Sequence, residues 1–229
     1  MNAKSILYFL FVILFISAVG GIFLTNKKSV TTKYLKVLPF FLLLTFFVEI
    51  AGFYLSYFEE NIKLMLFLKL LYNYFTTFEF VFYIWMLLEI IFNKLIKSLA
   101  AYVIIIYVIG AFININFFQG VKGFHTITYS IGCLIVVFFS IIYFLELFQK
   151  KNAVNLIRQP AFWICSGLLF FYCCSFPIFG LSNFIQSLPK IIRLNIAAIQ
   201  RTLNVFLYLM FSIAFLCPIK TKKSSPSFS

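Results

Sequence analysis

Glu49, Glu79 and Arg201 are ionisable side chains set in the middle of apolar sequence. Each belongs to a register of polar neighbours. Thr45, Glu49, Gly52 and Ser56 follow the spacing i, i+4, i+7, i+11, and Tyr72, Thr76, Glu79 and Tyr83 repeat it. Arg201, Asn204, Tyr208 and Ser212 keep nearly the same steps. On a helix of 3.6 residues per turn, such spacing draws a stripe along one face. Two carboxylates, a guanidinium and a set of amides and hydroxyls can hold a small polar molecule by charge and hydrogen bonds. The candidate ligand-binding set is Glu49, Tyr72, Asn73, Thr76, Glu79, Gln200, Arg201, Asn204 and Tyr208.

Catalysis is not what the same inventory predicts. The chain contains no Asp, which excludes aspartyl chemistry and Asp-held magnesium sites for phosphate transfer. Its one histidine, His125, rules out the H-E-x-x-H arrangement, and no G-x-S-x-G elbow occurs. The last apolar run holds no lysine of the kind a retinal protein needs. His125 is expected in a solvated outer loop. Cys133, Cys165, Cys173, Cys174 and Cys217 fall in or beside apolar runs without metal-ligand spacing, so they read as packing residues. The expectation is a protein that is not an enzyme and carries no metal or cofactor.

The elements that position the stripes follow from composition. Hydrophobic residues make up 63% of the 229 residues and charged ones 11%, about half the charged share of a soluble domain. Seven apolar runs have the length of about 20 residues that spans a hydrocarbon core. They predict helices over 5–24, 37–57, 65–92, 98–117, 127–147, 161–180 and 196–217. The fold class is all-α integral membrane: a seven-transmembrane-helix bundle in one domain over 1–219, followed by a disordered basic cytoplasmic tail over 220–229. The first run is too long for a signal-peptide core and lacks an A-x-A-like cleavage site, so it reads as a retained helix. Pro218 is expected to end the last helix.

Energetics points the stripes inward. A charge at a helix centre costs about 2.5–3.5 kcal/mol to insert, and each apolar residue returns about 0.3–0.6 kcal/mol. The helices can insert with one glutamate apiece and gain by finding it a partner. Glu49, Glu79 and Arg201 are therefore expected to meet in the outer half of the bundle. Glu89 and Glu146 fall near inner helix ends, where headgroup water reaches them.

The net charge of +13 lies mostly between apolar runs, where it sets topology and meets lipid headgroups rather than nucleic acid. Twelve basic residues fall on the side of the first, third and fifth connections and the tail, against five on the other. That asymmetry predicts an outside N-terminus and a cytoplasmic C-terminus. Leu35–Phe41 and Leu156–Phe162, each around a proline at a helix start, give a faint internal echo of the kind parallel-repeat transporters carry.

Several segments carry a resemblance: Phe46-Phe47-Val48-Glu49, the stretch Tyr72–Glu79, Phe162-Trp163 through Gly167-Leu168-Leu169, and Leu203–Tyr208 running on to Ala214–Cys217. In these the chain resembles small seven-helix membrane proteins of Bacteroidota, and it is similar to the seven-helix sensor regions that precede some bacterial histidine kinases. The resemblance implies sensing in a bacterial inner (cytoplasmic) membrane. Here no kinase follows before Ser229, so a stand-alone receptor-like sensor is expected, signalling through a separate partner. Expected partners are the lipid bilayer, a membrane or cytoplasmic signalling protein such as a histidine kinase, and a second copy of the chain. A small transporter or channel subunit, using the stripes as a pathway, is the alternative reading. A non-catalytic accessory subunit of a membrane complex is the third.

Overall fold

A computed structural model describes residues 3–26, 32–55, 62–120, 124–149, 155–181, 185 and 187–223. Seven helices account for most of them: α1 Ala3–Thr25, α2 Lys33–Leu55, α3 Ile62–Ile90, α4 Lys94–Ile113, α5 Thr126–Phe148, α6 Pro160–Gly180 and α7 Lys190–Lys223. A π-turn, Asn114–Phe118, extends α4, and a 3₁₀ turn, Leu156–Arg158, precedes α6. No strand occurs among the described residues.

Six of the seven helices, all but α3, are long and apolar enough to cross a membrane. At 29 residues α3 has the length, about 43 Å at 1.5 Å per residue. Lys69, Tyr72, Asn73, Thr76, Thr77 and Glu79 interrupt its apolar run. The outer surface is oily: Phe23, Ile106, Phe117, Phe138 and Leu209 are all exposed. Water would not tolerate apolar surface on that scale, whereas acyl chains match it. The protein is an α-helical integral membrane protein.

Packing follows a ring. α2 lies against α1, α1 against α7, α7 against α6, α6 against α5, and α5 against α3; α3 returns to α2 along a thinner seam. α4 leans on the outside against α3 and α5. Aromatic rings fill the centre. Phe80 meets Tyr107, Tyr129 and Tyr172 at 5.1–5.9 Å between centroids, and Phe41 stacks on Phe82 at 4.0 Å. Such pairs add to burial through ring-edge electrostatics. Cys133, Cys165 and Cys217 are buried as packing residues, whereas Cys173 lies exposed on α6.

Local signals explain the ends. Asn93 caps α4, its side chain accepting from the backbone of Leu95 (2.9 Å) and Ile96 (3.5 Å). Gly120, at φ 70°, turns the chain after the π-turn, a left-handed conformation that glycine adopts without strain. The helix boundaries depart most from the sequence reading at α2, α4 and α7, with α4 beginning at Lys94. α2 begins at Lys33, so Pro39 stands in its second turn, while Pro160 is the first residue of α6. The two prolines of the internal echo are thus not equivalent. α7 begins at Lys190 and continues past Pro218 to Lys223, so the proline does not end it and the basic tail is helical that far. Residues 224–229 of that tail, like Ser56, Glu59 and Glu60, lie outside the described residues.

Glu146 does more than reach water. Its carboxylate accepts the backbone N–H groups of Phe92 (2.7 Å) and Asn93 (3.0 Å), tying the α3–α4 turn to α5. Bonds to a charged acceptor contribute roughly 1.5–3 kcal/mol each when shielded. Glu146→Ala should lower unfolding stability in micelles by about 1–3 kcal/mol, and Glu146→Gln, which keeps one acceptor oxygen, by less. Equal stability of all three proteins would contradict this role.

Candidate functional site

The polar stripes converge on one cavity of about 380 Å³. Its walls come from α2 (Thr45, Glu49), α3 (Lys69, Tyr72, Asn73, Phe75, Thr76, Glu79) and α7 (Gln200, Asn204, Tyr208), with Tyr129 of α5 and Phe171 and Phe179 of α6. It lies at the end of the bundle where α2 and α6 finish and α3, α5 and α7 begin. Met65, in the first turn of α3, marks how near that end it reaches.

Eight of the nine candidate residues line the cavity: Glu49, Tyr72, Asn73, Thr76, Glu79, Gln200, Asn204 and Tyr208. Arg201 does not. The line along α7 that faces the cavity is Gln200, Asn204, Tyr208, a spacing of i, i+4, i+8. Arg201 stands one residue, about 100°, round the helix from it. Its charge still acts on Glu49. Ser212 leaves the stripe altogether: its hydroxyl lies 2.9 Å from that of Ser17 on α1, and both approach the Tyr208 carbonyl.

The two glutamates are held differently. Glu49 accepts the Tyr72 hydroxyl and feels Arg201. Glu79 accepts the hydroxyls of Tyr83 and Tyr172, and feels Glu49 across the cavity. Neither of those tyrosines lines the cavity, whereas Glu79 does. Gly52 makes room for this arrangement, since a Cβ there would overlap the Tyr72 ring and hydroxyl. Gln200 is fixed by Ser175, whose hydroxyl lies 3.1 Å from the amide nitrogen. Asn204 donates to the Gln200 carbonyl at 3.3 Å. Thr45 and Thr76 donate back to the carbonyls of Phe41 (3.0 Å) and Tyr72 (2.8 Å), as buried hydroxyls in helices commonly do.

His125 is the main correction. The sequence put it in a solvated loop, but it is fully buried at 0% exposure. Its backbone N–H (3.3 Å) and Nδ1 (2.8 Å) both meet Asn73 Oδ1, and Nε2 lies 3.2 Å from Thr76 Oγ1. With Asn73 accepting twice, Nδ1 is the nitrogen that carries the proton. The histidine thus pins the start of α5 to α3 and orients two cavity side chains. The other residues missed in the sequence are Tyr129, Tyr172 and Ser175, which were lost among 13 Tyr and 34 Phe and in a run of apolar α6 sequence. Among the described residues no three His, Cys, Asp or Glu side chains gather as a metal centre would require.

No family model, no curated protein and no solved structure matches this chain. The residues themselves must carry the functional argument.

Burial pushes the His125 imidazole down from 6.5 to about 4. Between those values the unfolded chain binds the proton and the folded chain does not. Stability therefore rises with pH across the window, and is lost as pH falls from about 6.5 to about 4, by up to about 3 kcal/mol. Thermal unfolding in micelles should show this slope, and His125→Gln should flatten it. Identical slopes for both proteins would place the titration elsewhere.

Proposed function

We propose that this protein is a receptor-like sensor of a bacterial inner membrane, with seven spanning helices, its N-terminus outside and its C-terminus in the cytoplasm. In this reading α3 is the seventh span, tolerated because its polar face turns to the cavity. A small ligand enters from outside and sits among Glu49, Asn73, Glu79, Gln200 and Asn204. Its contacts favour one packing of α3, α6 and α7, and a separate membrane or cytoplasmic partner, such as a histidine kinase, reads the change. A ligand shifts such an equilibrium only by its difference in affinity for the two packings. A cavity shared by three of the moving elements is where that difference arises.

The observation that carries this reading is a cavity of about 380 Å³ lined by eight of the nine candidate residues, drawn from α2, α3 and α7. Its size falls among small-molecule sites, which range over roughly 300–1,000 Å³. Intramembrane ionisable groups are otherwise rare and mark sites or ion paths. The twelve-to-five distribution of basic residues supports an outward-facing cavity.

Cysteine labelling in cells tests site and orientation together. In a cysteine-free background, Asn204→Cys should react with a membrane-impermeant thiol reagent added outside, and Leu209→Cys, on the exposed lipid-side face, should not. Failure of Asn204→Cys to react from outside would overturn the outward-facing site. Reaction from both sides would replace the sensor with a transport pathway.

A further inference from the structure

The walls of the cavity are chemically one-sided. Both carboxylates, Glu49 and Glu79, line it, and the guanidinium of Arg201 does not. Glu49 already has a protein cation, since Arg201 acts on it. The groups acting on Glu79 are Glu49 and the hydroxyls of Tyr83 and Tyr172, with no lysine or arginine among them. Lys69, the one basic residue of the lining, is solvent- or lipid-exposed near the start of α3. Rings complete the wall: Phe75, Phe124, Tyr129, Phe179 and Tyr208. Phe124, Tyr129 and Phe179 touch one another at 4.1–5.4 Å between centroids, forming a continuous aromatic panel.

Each kind of ligand meets this wall differently. An anion would face two carboxylates in a medium of low dielectric, where repulsion is least screened. A neutral molecule would leave an ionised Glu79 with only the Tyr83 and Tyr172 hydroxyls. A monocation would complete the charge balance of Glu49, Arg201 and Glu79, and its apolar body would lie on the panel. Aromatic faces attract cations by their quadrupole, most strongly when water is excluded. The side-chain carbonyls of Gln200 and Asn204 supply acceptors for the remaining N–H bonds of an ammonium group, since Asn73 Oδ1 already serves His125.

We infer that the ligand is a small organic amine, bound as its ammonium ion with the charged nitrogen on Glu79 and an apolar body against Phe124, Tyr129 and Phe179. This rests on the reading of the cavity as a ligand site and names the class of molecule it takes.

The test uses the full chain in nanodiscs and three probes with one body and different heads: 2-phenylethylamine, 2-phenylethanol and phenylacetate. Binding is read by calorimetry and by saturable thermal stabilisation. The amine should bind at least about tenfold more tightly than either the alcohol or the carboxylate. Glu79→Gln should abolish that preference while keeping its unfolding transition. Should Glu79→Gln not fold, the ranking of the three probes on the native chain decides alone. Equal or stronger binding of the alcohol or carboxylate would overturn the amine and leave the cavity a ligand site of another class. Binding of none at millimolar concentration would also overturn the amine. An unreactive Asn204→Cys in the labelling experiment would instead remove the site itself.

Discussion

An ionised side chain in hydrocarbon must find a partner or leave, and the arrangement of α2, α3 and α7 follows from that demand. Glu49, Glu79 and Arg201 come from three helices, and Arg201 acts on Glu49 while Glu49 acts on Glu79. Tyrosine hydroxyls supply the rest: Tyr72 for Glu49, and Tyr83 and Tyr172 for Glu79. Buried carboxylates are costly unless their lone pairs are met, and here the phenols meet them without filling the space in front. The consequence is a polar hollow near one end of a bundle whose centre is otherwise filled by apolar and aromatic packing.

The two ends of the bundle are built differently. At the end opposite the cavity, Glu146 and Asn93 fasten the α3–α4 turn, and the Trp163 indole donates to the Ile157 carbonyl at 2.9 Å. The Cys217 thiol lies 3.5 Å from the same carbonyl, bringing α7 onto the turn before α6. At the cavity end α3 and α7 stand apart, and α3 meets α2 only along a thin seam. His125 spans part of that end by holding Asn73 and Thr76.

Much of this was legible in the sequence because the penalty for lipid-exposed polarity is large. Period-3.6 stripes named seven of the lining residues, with Asn73 and Gln200 added beside them as amides, and apolar run lengths located each helix, with ends shifted by up to six residues at α7. What failed did so for physical reasons. Arg201 fell on the flank because a stripe of mixed steps cannot resolve a rotation of one residue, about 100°. His125 looked solvated because a connection between apolar runs is usually wet, whereas this one folds Phe124 and His125 into the bundle. Tyr83 stood in the stripe one turn beyond Glu79, whereas Tyr172 carried no signal separating a carboxylate's hydrogen-bond donor from the many rings that serve only as bulk. The start of α2 moved to Lys33 because a proline in the second turn was taken for a helix start.

The ionisable groups of α2 and α7 act on one another inside the bundle. A double-mutant cycle measures this directly: unfolding free energies in micelles for the native chain, Glu49→Gln, Arg201→Met and the pair. The account predicts that the double change costs less than the sum of the single ones by at least about 0.5 kcal/mol, because each single change strands the other charge. Single costs that add within about 0.3 kcal/mol would show that the two groups are independent, and would contradict the charge-paired cavity on which the functional reading stands.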